Sequence, residues 1–501
     1  MALALKLVPI LVLTYVLAAN SYAVENGFSQ CENVVKKWST SALEQEAKED
    51  KHTLRDLLFF LHIPRTGGRT YFHCFLRKLY SGSDECPRSY DKLRFDPSKQ
   101  KCRLLVTHDD YSMISKLPKE KTSMVTILRN PVDRVFSAYE FSVEVAARFL
   151  VHPNLTSATK MSGRLRSNSS GISTLDIWPW KYLVPWMRED LFSRRDARRH
   201  RGSDRVESNN PYSMQEIVMP LLRYINDPIA RDIVHNGATF QIAGITNNSY
   251  FPEAHEVRHC VQRYKVLGDY VLQVAKKRLD DMLYVGLTED HKESATMFAN
   301  VVGAQVISQT LSSSLNASTK WKPANHKTGR GSLISVPEAD HEEHQVGQAN
   351  TTVHSTENIS DNRENMTVKK LMGSYEDCIK SLRKTQSRRR TSSLKRIAPA
   401  NFSKADRLKV PEVVLEEIRS LNHLDVDLYE YARSIFTNQH QKSLLQPYDT
   451  TEGLGSIFSS YSSEEGIMSL RLLSLGMFVA LFLLVMLVCV NARRKISKVK
   501  I

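Results

Sequence analysis

The sequence of 501 residues lacks several signals that would define other classes of protein. Glycine (20 residues) and proline (18 residues) are too few for a collagen-like or low-complexity chain. No Cys-x-x-Cys pair and no His/Cys cluster occurs, so we expect no metal site. Long apolar runs occur only near the two ends, which argues against a polytopic membrane protein. The remaining composition, 42% hydrophobic and 25% charged, is that of a globular protein.

Basic residues are in excess, with 69 Lys and Arg against 54 Asp and Glu and a net charge of +15. This charge favours an anionic partner, which could be a nucleic acid, a phosphate-bearing cofactor, an acidic polysaccharide or an acidic peptide. Residues 1–23 have the pattern of a secretory signal. Residues 472–490 carry no charge and are long enough to span a bilayer, and the tail 491–501 is basic. We therefore expect a single-pass type I membrane protein with a lumenal body and no nucleic-acid partner.

Cysteines and glycosylation sequons also favour a lumenal body. Six cysteines precede the predicted span, and six cysteines can form three disulfides by fifteen pairings, among which the sequence does not choose. They are Cys31, Cys74, Cys86, Cys102, Cys260 and Cys378. The Asn-x-Ser/Thr sequons, which accept N-glycans, are at Asn154, Asn168, Asn247, Asn316, Asn350, Asn358, Asn365 and Asn401.

Residues 54–141 show an α/β pattern. The segment 57–63 is apolar except for His62, as expected of a strand buried on both faces, and helical spacing follows it. Two more short strands are predicted at 103–107 and 123–128. Alternation of strands and helices predicts an α/β fold with a central parallel sheet flanked by helices.

The rest of the chain is divided by composition. Residues 305–405 are rich in Ser, Thr, Asn and charge, so we predict a glycosylated, disordered insertion there. The other predicted segments are a polar N-terminal segment at 24–52, C-terminal helices of the folded domain at 406–440, a stalk at 441–471, a C-terminal transmembrane helix at 472–490 and a cytoplasmic tail at 491–501.

The sharpest motif follows the first predicted strand. Two adjacent glycines, Gly67 and Gly68, lie in the turn, and an amphipathic helix begins at about Arg69. This arrangement presents backbone N–H groups and a helix N-terminus to an anion, while Arg65, Thr66 and Thr70 add donors. The Gly-Lys-Ser/Thr ending of a Walker A loop is missing, which disfavours a kinase or NTPase. An ordinary Gly-Gly turn is the alternative.

A second motif lies about 60 residues further along the chain. The third strand runs into Arg129, and Pro131 begins a helix on which Arg134 and Ser137 share one face. Arg129 and Ser137 could then converge on a single phosphate. The alternative is a capped helix with solvated arginines.

Together, the two motifs resemble the 5′-phosphosulfate loop and the 3′-phosphate motif of the sulfotransferases that use 3′-phosphoadenosine 5′-phosphosulfate (PAPS). The segments His62–Gly68, Lys277–Glu289 and Leu421–Ala432 are similar to the heparan sulfate 6-O-sulfotransferase branch. A signal peptide with a C-terminal span is instead the layout of the plant tyrosylprotein sulfotransferases, which are related to that branch. The resemblance implies a P-loop-like sulfotransferase fold with residues 53–304 as the catalytic domain.

The resemblance also implies an activity, the transfer of the sulfuryl group from PAPS to the phenol oxygen of tyrosines in secreted peptide precursors. It implies that PAPS is bound without a metal by Arg65, Thr66, Gly67, Gly68, Arg69, Thr70, Arg129 and Ser137. Most sulfotransferases carry Lys where this sequence has Arg65. Because Arg does not give up a proton, we assign Arg65 to stabilisation of the leaving group and not to acid catalysis.

His108 is the candidate catalytic base. It follows the second strand, and open α/β sheets place their sites at the carboxyl ends of strands. In the resembled branch the catalytic His precedes Ala-Asp-Trp, whereas Asp109-Asp110-Tyr111 follows His108, so the local match is partial. His62 is the weaker alternative because it is expected inside a strand.

An arginine cluster could hold the acceptor. It includes Arg194, Arg195, Arg198 and Arg199 and would suit an acidic peptide, a sulfated polysaccharide or solvent alone. Acidic tyrosine-containing precursors are the expected partners, and the Golgi membrane, with the catalytic domain in the lumen, is the expected location. The alternatives are a heparan-type polysaccharide O-sulfotransferase and a non-catalytic glycoprotein that shares the fold.

Overall fold

A computed structural model of the chain describes residues 27–44, 51–86, 102–164, 174–201, 210–318, 366–398 and 400–445. The chain divides into two units, 1–445 and 446–501, and the second lies wholly outside the described residues. The predicted signal at 1–23 and the predicted span at 472–490 also lie outside them. Within the described ranges, no helix has the length and apolar composition needed to cross a bilayer.

Four short strands form the centre of the fold. They are β1 (Leu57–Leu61), β2 (Leu104–Thr107), β3 (Thr122–Leu128) and β4 (Tyr284–Leu287). The strands are ordered β2-β1-β3-β4, and every neighbouring pair is parallel. All strand residues are buried, as strands covered by helices on both faces require. The predicted parallel sheet is therefore confirmed.

Helices surround the sheet. They are α1 (27–43), α2 (Gly68–Tyr71), α3 (Arg77–Leu79), α4 (Pro131–Arg148), α5 (Leu155–Arg164), α6 (Trp180–Arg201), α7 (Leu221–Asn226), α8 (Arg231–Val234), α9 (Gly237–Ile242), α10 (Ala254–Arg263), α11 (Gly268–Asp280), α12 (His291–Phe298), α13 (Ala304–Ser318), α14 (Val368–Leu394), α15 (Lys404–Arg407), α16 (Glu412–Leu421) and α17 (His423–Leu445). A π-helical turn, Phe72–Leu76, joins α2 to α3.

Two apolar clusters fill the interior. The first surrounds the sheet and reaches α1, α11 and α17. The second lies between α4 and α6 and includes apolar residues of α7 and α16. Since α4 contributes to the second cluster and directly follows β3, the sheet and the helical layer are held as one unit.

Three disulfides resolve the pairing that the sequence left open. Cys31 pairs with Cys260, Cys74 with Cys378 and Cys86 with Cys102. The first bond attaches α1 to α10, so residues 27–43 of the predicted polar N-terminal segment form a packed helix, with Val35 fully buried.

The expectation of disorder across 305–405 was wrong for the part of it that the structure describes. Helix α14 extends over Val368–Leu394 and buries Leu371, Tyr375 and Ile379 on one face. These apolar residues are spaced four apart, which places them on one helical stripe. Most residues of α14 are polar, so the composition of the segment does not indicate this apolar stripe. Residues 319–365 lie outside the described ranges.

Candidate active site

The loop after β1 has the geometry of an anion-binding turn. Arg65 and Gly67 adopt positive φ angles of 70° and 82°. The Thr66 hydroxyl donates to the carbonyl oxygen of Ile63 at 2.9 Å, so it closes the turn. Helix α2 then begins at Gly68, one residue earlier than predicted. The loop therefore directs a helix N-terminus and an exposed Gly67 toward the carboxyl edge of the sheet.

Gly68 is required by close packing against a histidine. A Cβ placed on Gly68 would lie 2.3 Å from Cδ2 of His62, a distance at which one of the two groups must move. The strand ends at Leu61, so His62 lies just beyond it and not inside it as expected. The second glycine of the motif thus sets the distance between the loop and the His62 ring.

Arg65 extends from the loop to α4. Its Nε donates to the Ser137 hydroxyl at 2.9 Å, and its guanidinium lies 4.3 Å from the centroid of the Phe141 ring. Burial, with a smaller contribution from Arg129, lowers the pKa of Arg65 to about 10. Arg65 therefore remains charged at neutral pH and directly connects the two sequence motifs.

Arg129 lies between the loop and β4. Its Nη1 donates to the carbonyl oxygen of Arg65 at 3.3 Å, and its Nε lies 3.9 Å from a carboxylate oxygen of Glu289. Nε is buried and makes no hydrogen bond within the described residues. Burial lowers the pKa of Arg129. Two guanidinium groups and a hydroxyl at one sheet edge form a donor set suited to phosphate oxygens.

His108 follows β2 and lies beside His62. Its Nδ1 is 2.9 Å from the carbonyl oxygen of His62, and the two ring centroids are 4.3 Å apart. Burial lowers the pKa of His108 to about 4, although the hydrogen bond to His62 opposes this effect. The imidazole is therefore neutral at neutral pH. If Nδ1 carries the proton, the lone pair is on Nε2.

Gln241 holds the backbone beside the two histidines, a role that the sequence did not predict. Its Nε2 lies 3.3 Å from the carbonyl oxygen of His62 and 2.9 Å from that of His108, and it also donates to Asp109. Gln241 is on α9 and is 1% exposed. It therefore joins the ends of β1 and β2, and a lone glutamine in an apolar helix gave no signal of this role.

Arg134 has a different role from its helical neighbour Ser137. It is buried and forms an ion pair of 2.7 Å with Asp425 of α17. Asp425 also accepts hydrogen bonds from the backbone and hydroxyl of Thr239. The arginine that follows Arg129 in the motif thus holds the C-terminal helix on the fold.

The predicted acceptor arginines all lie on α6. Arg194 pairs with Asp190 at 2.7 Å, and Arg195 pairs with Asp196 at 2.9 Å. Arg199 is 4.0 Å from Asp196, and Arg198 lies on the same helix. Their carboxylate neighbours reduce the positive field that this cluster offers, and its acceptor role stays a prediction.

Three of the predicted glycosylation sites, Asn154, Asn247 and Asn401, have exposed side chains. Asn316 lies within α13. The remaining four, Asn168, Asn350, Asn358 and Asn365, are outside the described residues. Among the described residues, no cluster of His, Cys, Asp and Glu could hold a metal ion.

A parallel sheet with a positive-φ turn, two arginines and a histidine at its carboxyl edge defines an α/β protein whose site is suited to an anionic ligand. No protein-family model matches the chain. The chain is 56% identical, over 484 residues, to the protein-tyrosine sulfotransferase of Arabidopsis thaliana, and the match covers 95% of each sequence. The chain therefore belongs to the protein-tyrosine sulfotransferase family and is a transferase, as the resemblance of its motifs and of its predicted layout indicated.

Proposed function

We propose that the protein transfers a sulfuryl group from PAPS to the phenol oxygen of tyrosines in secreted peptide or protein precursors. The observation that carries this proposal is the convergence of Arg65, Arg129, Ser137 and His108 at one edge of the sheet. Membership of the protein-tyrosine sulfotransferase family supports tyrosine as the acceptor. Bound PAPS supplies an activated sulfuryl group whose departure leaves a phosphate.

The donor site would consist of the two motifs. The loop from Arg65 to Thr70 is assigned to the 5′-phosphosulfate, because its helix N-terminus and its positive-φ turn suit an anion. Arg129 and Ser137 are assigned to the 3′-phosphate. The buried Nε of Arg129, which makes no hydrogen bond within the described residues, agrees with a ligand at this place. The chemistry of these donors fits a molecule with several phosphate oxygens.

His108 is assigned as the base. A tyrosine phenol has a pKa of about 10, so proton removal assists its attack at neutral pH. The neutral imidazole of His108 can accept that proton on Nε2, while Nδ1 donates to the His62 carbonyl and holds the ring in place. Gln241, through the same carbonyl, fixes the backbone that carries both rings.

Arg65 is assigned to the leaving group. Negative charge develops on the departing phosphate during sulfuryl transfer, as in phosphoryl transfer, and a fixed guanidinium stabilises that charge. Ser137 and the Phe141 ring hold Arg65 in one position. Because the pKa of Arg65 remains about 10, Arg65 stabilises charge and does not donate a proton at neutral pH.

We place the protein in the Golgi membrane, with its catalytic domain in the lumen and a single C-terminal span. The three disulfides of the folded domain suit an oxidising compartment. The sequons with exposed asparagines suit the same compartment.

Acceptor choice is tested with the full chain purified in detergent micelles. The enzyme is incubated with PAPS and either a peptide containing an Asp-Tyr pair or desulfated heparan. We expect sulfate on tyrosine and none on the sugar. Sulfate on the polysaccharide alone would overturn the proposal and favour the heparan-type activity.

A further inference from the structure

One side chain after β4 contacts the loop after β1. The Thr288 hydroxyl donates to the carbonyl oxygen of Thr66 at 2.7 Å and lies 2.9 Å from that of Leu128. Leu128 ends β3 and directly precedes Arg129. Because β3 separates β4 from β1 in the sheet, Thr288 reaches across the end of one strand to the loop Arg65–Thr70. Thr288 therefore connects the two parts of the proposed PAPS site.

The main chain of Thr288 is held on both sides. Its own N–H donates to the last residue of β3 at 2.9 Å and so extends the pairing of β3 with β4. Before it, the N–H of Leu287 donates to the Ser294 hydroxyl at 3.0 Å. After it, Glu289 accepts a hydrogen bond of 3.0 Å from the N–H of Asn130. The Thr288 hydroxyl therefore reaches the loop from a fixed support.

The bond to Thr66 determines which way one peptide unit of the loop faces. The carbonyl of Thr66 and the N–H of Gly67 belong to one planar trans peptide, so they point in opposite directions. Since the carbonyl is directed at Thr288, the N–H is directed away from it. Gly67 is exposed, and within the described residues its N–H makes no hydrogen bond. That N–H is therefore open to a ligand.

The side chains at this point of the loop do not replace the N–H. Thr66 is 1% exposed, and its hydroxyl already donates to the carbonyl oxygen of Ile63 at 2.9 Å. Gly67 has no side chain, and a Cβ placed on it would meet only Cγ2 of Thr288, at 3.8 Å. The main chain is therefore the group that this part of the loop offers to an anion.

We propose that Thr288 is a positioning residue whose hydroxyl holds the Thr66–Gly67 peptide with the Gly67 N–H facing the 5′-phosphate of the bound nucleotide. The inference rests on the proposed use of PAPS and concerns a residue outside both phosphate motifs. Without the hydroxyl, the peptide unit can turn over, because glycine accepts either sign of φ. A carbonyl oxygen would then face the phosphate and repel it, whereas a pre-organised N–H binds it.

Loss of the hydroxyl should leave the 3′-phosphate site in place. The carbonyl of Leu128 keeps the N–H of Thr288 as its hydrogen-bond donor. Arg129 keeps its contacts with Glu289 and with the carbonyl oxygen of Arg65. The effect should therefore be confined to ligands that carry a 5′-phosphate.

The test compares Thr288→Val, which lacks the hydroxyl, with Thr288→Ser, which keeps it. The full chain in detergent micelles is titrated calorimetrically with adenosine 3′,5′-bisphosphate and with adenosine 3′-phosphate. For the bisphosphate, the dissociation constant of Thr288→Val should rise about tenfold or more, as loss of one hydrogen bond to a charged group implies. Adenosine 3′-phosphate should bind within about twofold of wild type, since it lacks the 5′-phosphate that the Gly67 N–H would bind. Thr288→Ser should bind both ligands as wild type does.

The matched control is Thr296→Val, on the helix that follows β4. It removes an exposed hydroxyl that donates within its own helix, to the carbonyl oxygen of Lys292 at 3.0 Å, and should leave both affinities unchanged. The inference is overturned if Thr288→Val binds the bisphosphate as wild type does. It is also overturned if that variant weakens both ligands equally, or if Thr288→Ser binds as poorly as Thr288→Val, because a general loss of structure would then explain the result.

These titrations separate this inference from the proposed function, since they need no acceptor. If wild type binds the bisphosphate but sulfates no tyrosine, the proposed function fails, and the two-ligand comparison still decides the role of Thr288. If transfer occurs, kcat/KM for PAPS should fall about tenfold or more in Thr288→Val, with the KM for the acceptor peptide unchanged. A wild-type kcat/KM for PAPS in that variant would contradict the inference.

Discussion

Nδ1 of His108 lies 2.9 Å from the carbonyl oxygen of His62, so the residue after β2 is oriented by the residue after β1. His108→Ala should lower kcat by about 10²–10⁴, the usual contribution of a general base. PAPS affinity should change little. The control variant His259→Ala removes an exposed histidine and should leave kcat unchanged. An active His108→Ala enzyme would remove His108 from the mechanism.

The pH profile should reflect the lowered pKa of His108. Because burial lowers that pKa to about 4, the imidazole stays neutral as the pH falls from 7 to 5. The acid limb of kcat/KM for PAPS, which reports the free enzyme, should therefore lie near pH 4. His108→Gln should lack this limb. A limb near 6.5, the ordinary value for histidine, would show that the imidazole is not desolvated.

Gly68→Ala should disturb the two histidines. Its Cβ would lie 2.3 Å from the His62 ring, so that ring must move, and His108 packs against it. We expect a destabilisation of about 1–3 kcal/mol, typical of overpacking, and a lower kcat. Gly373→Ala is the control, because nothing lies within 4 Å of its added Cβ. Thermal unfolding and steady-state rates measure both effects, and a wild-type rate for Gly68→Ala would contradict the packing argument.

Asp425→Ala should be strongly destabilising. It leaves the buried Arg134 guanidinium without its partner at 2.7 Å, and such a loss costs about 3–5 kcal/mol. Glu430→Ala removes an exposed partner of Arg433 and should cost less than about 1 kcal/mol. Urea unfolding of the two variants compares them. Equal urea midpoints for the two variants would show that the ion pair of Arg134 with Asp425 does not stabilise the fold more than an exposed pair does.

The disulfide from Cys74 to Cys378 should contribute more stability than that from Cys86 to Cys102. Their sequence separations are 304 and 16 residues, and the unfolded chain gains more entropy when the longer loop is opened. Chain-entropy estimates give about 3 kcal/mol for a 15-residue loop and about 4.7 kcal/mol for 100 residues. Paired Cys→Ser variants, compared by thermal unfolding, test this order. A larger loss at the shorter loop would contradict it.

The sheet and the donor motifs were predictable because they depend on local patterns. Buried strands are recognised in the sequence as runs of apolar residues. The loop at Gly67 and Gly68 needs glycine for steric reasons that apply in any sequence. The pairing of Arg65 with Ser137 could not be read from either motif alone. It depends on β1 and β3 being neighbours in the sheet, which brings together residues 72 positions apart.

Gln241 and α14 were missed for different reasons. Gln241 acts through backbone carbonyls, which have no sequence signature. Helix α14 has few apolar residues, and a disulfide to Cys74 adds to their packing. Composition favoured disorder there, whereas a covalent contact distant in sequence supports the ordered helix.

We propose that PAPS-dependent transfer to tyrosine occurs at the sheet edge that carries Arg129 and His108. The most direct measurement is sulfate transfer from PAPS to an Asp-Tyr peptide by the full chain, with a Phe-substituted peptide as the blank. Wild type and the exposed-residue control Arg223→Ala should modify tyrosine at equal rates, and Arg129→Ala and His108→Ala should lose nearly all transfer. Undiminished transfer by both site variants, or no transfer by wild type under conditions where it binds PAPS, would contradict the account.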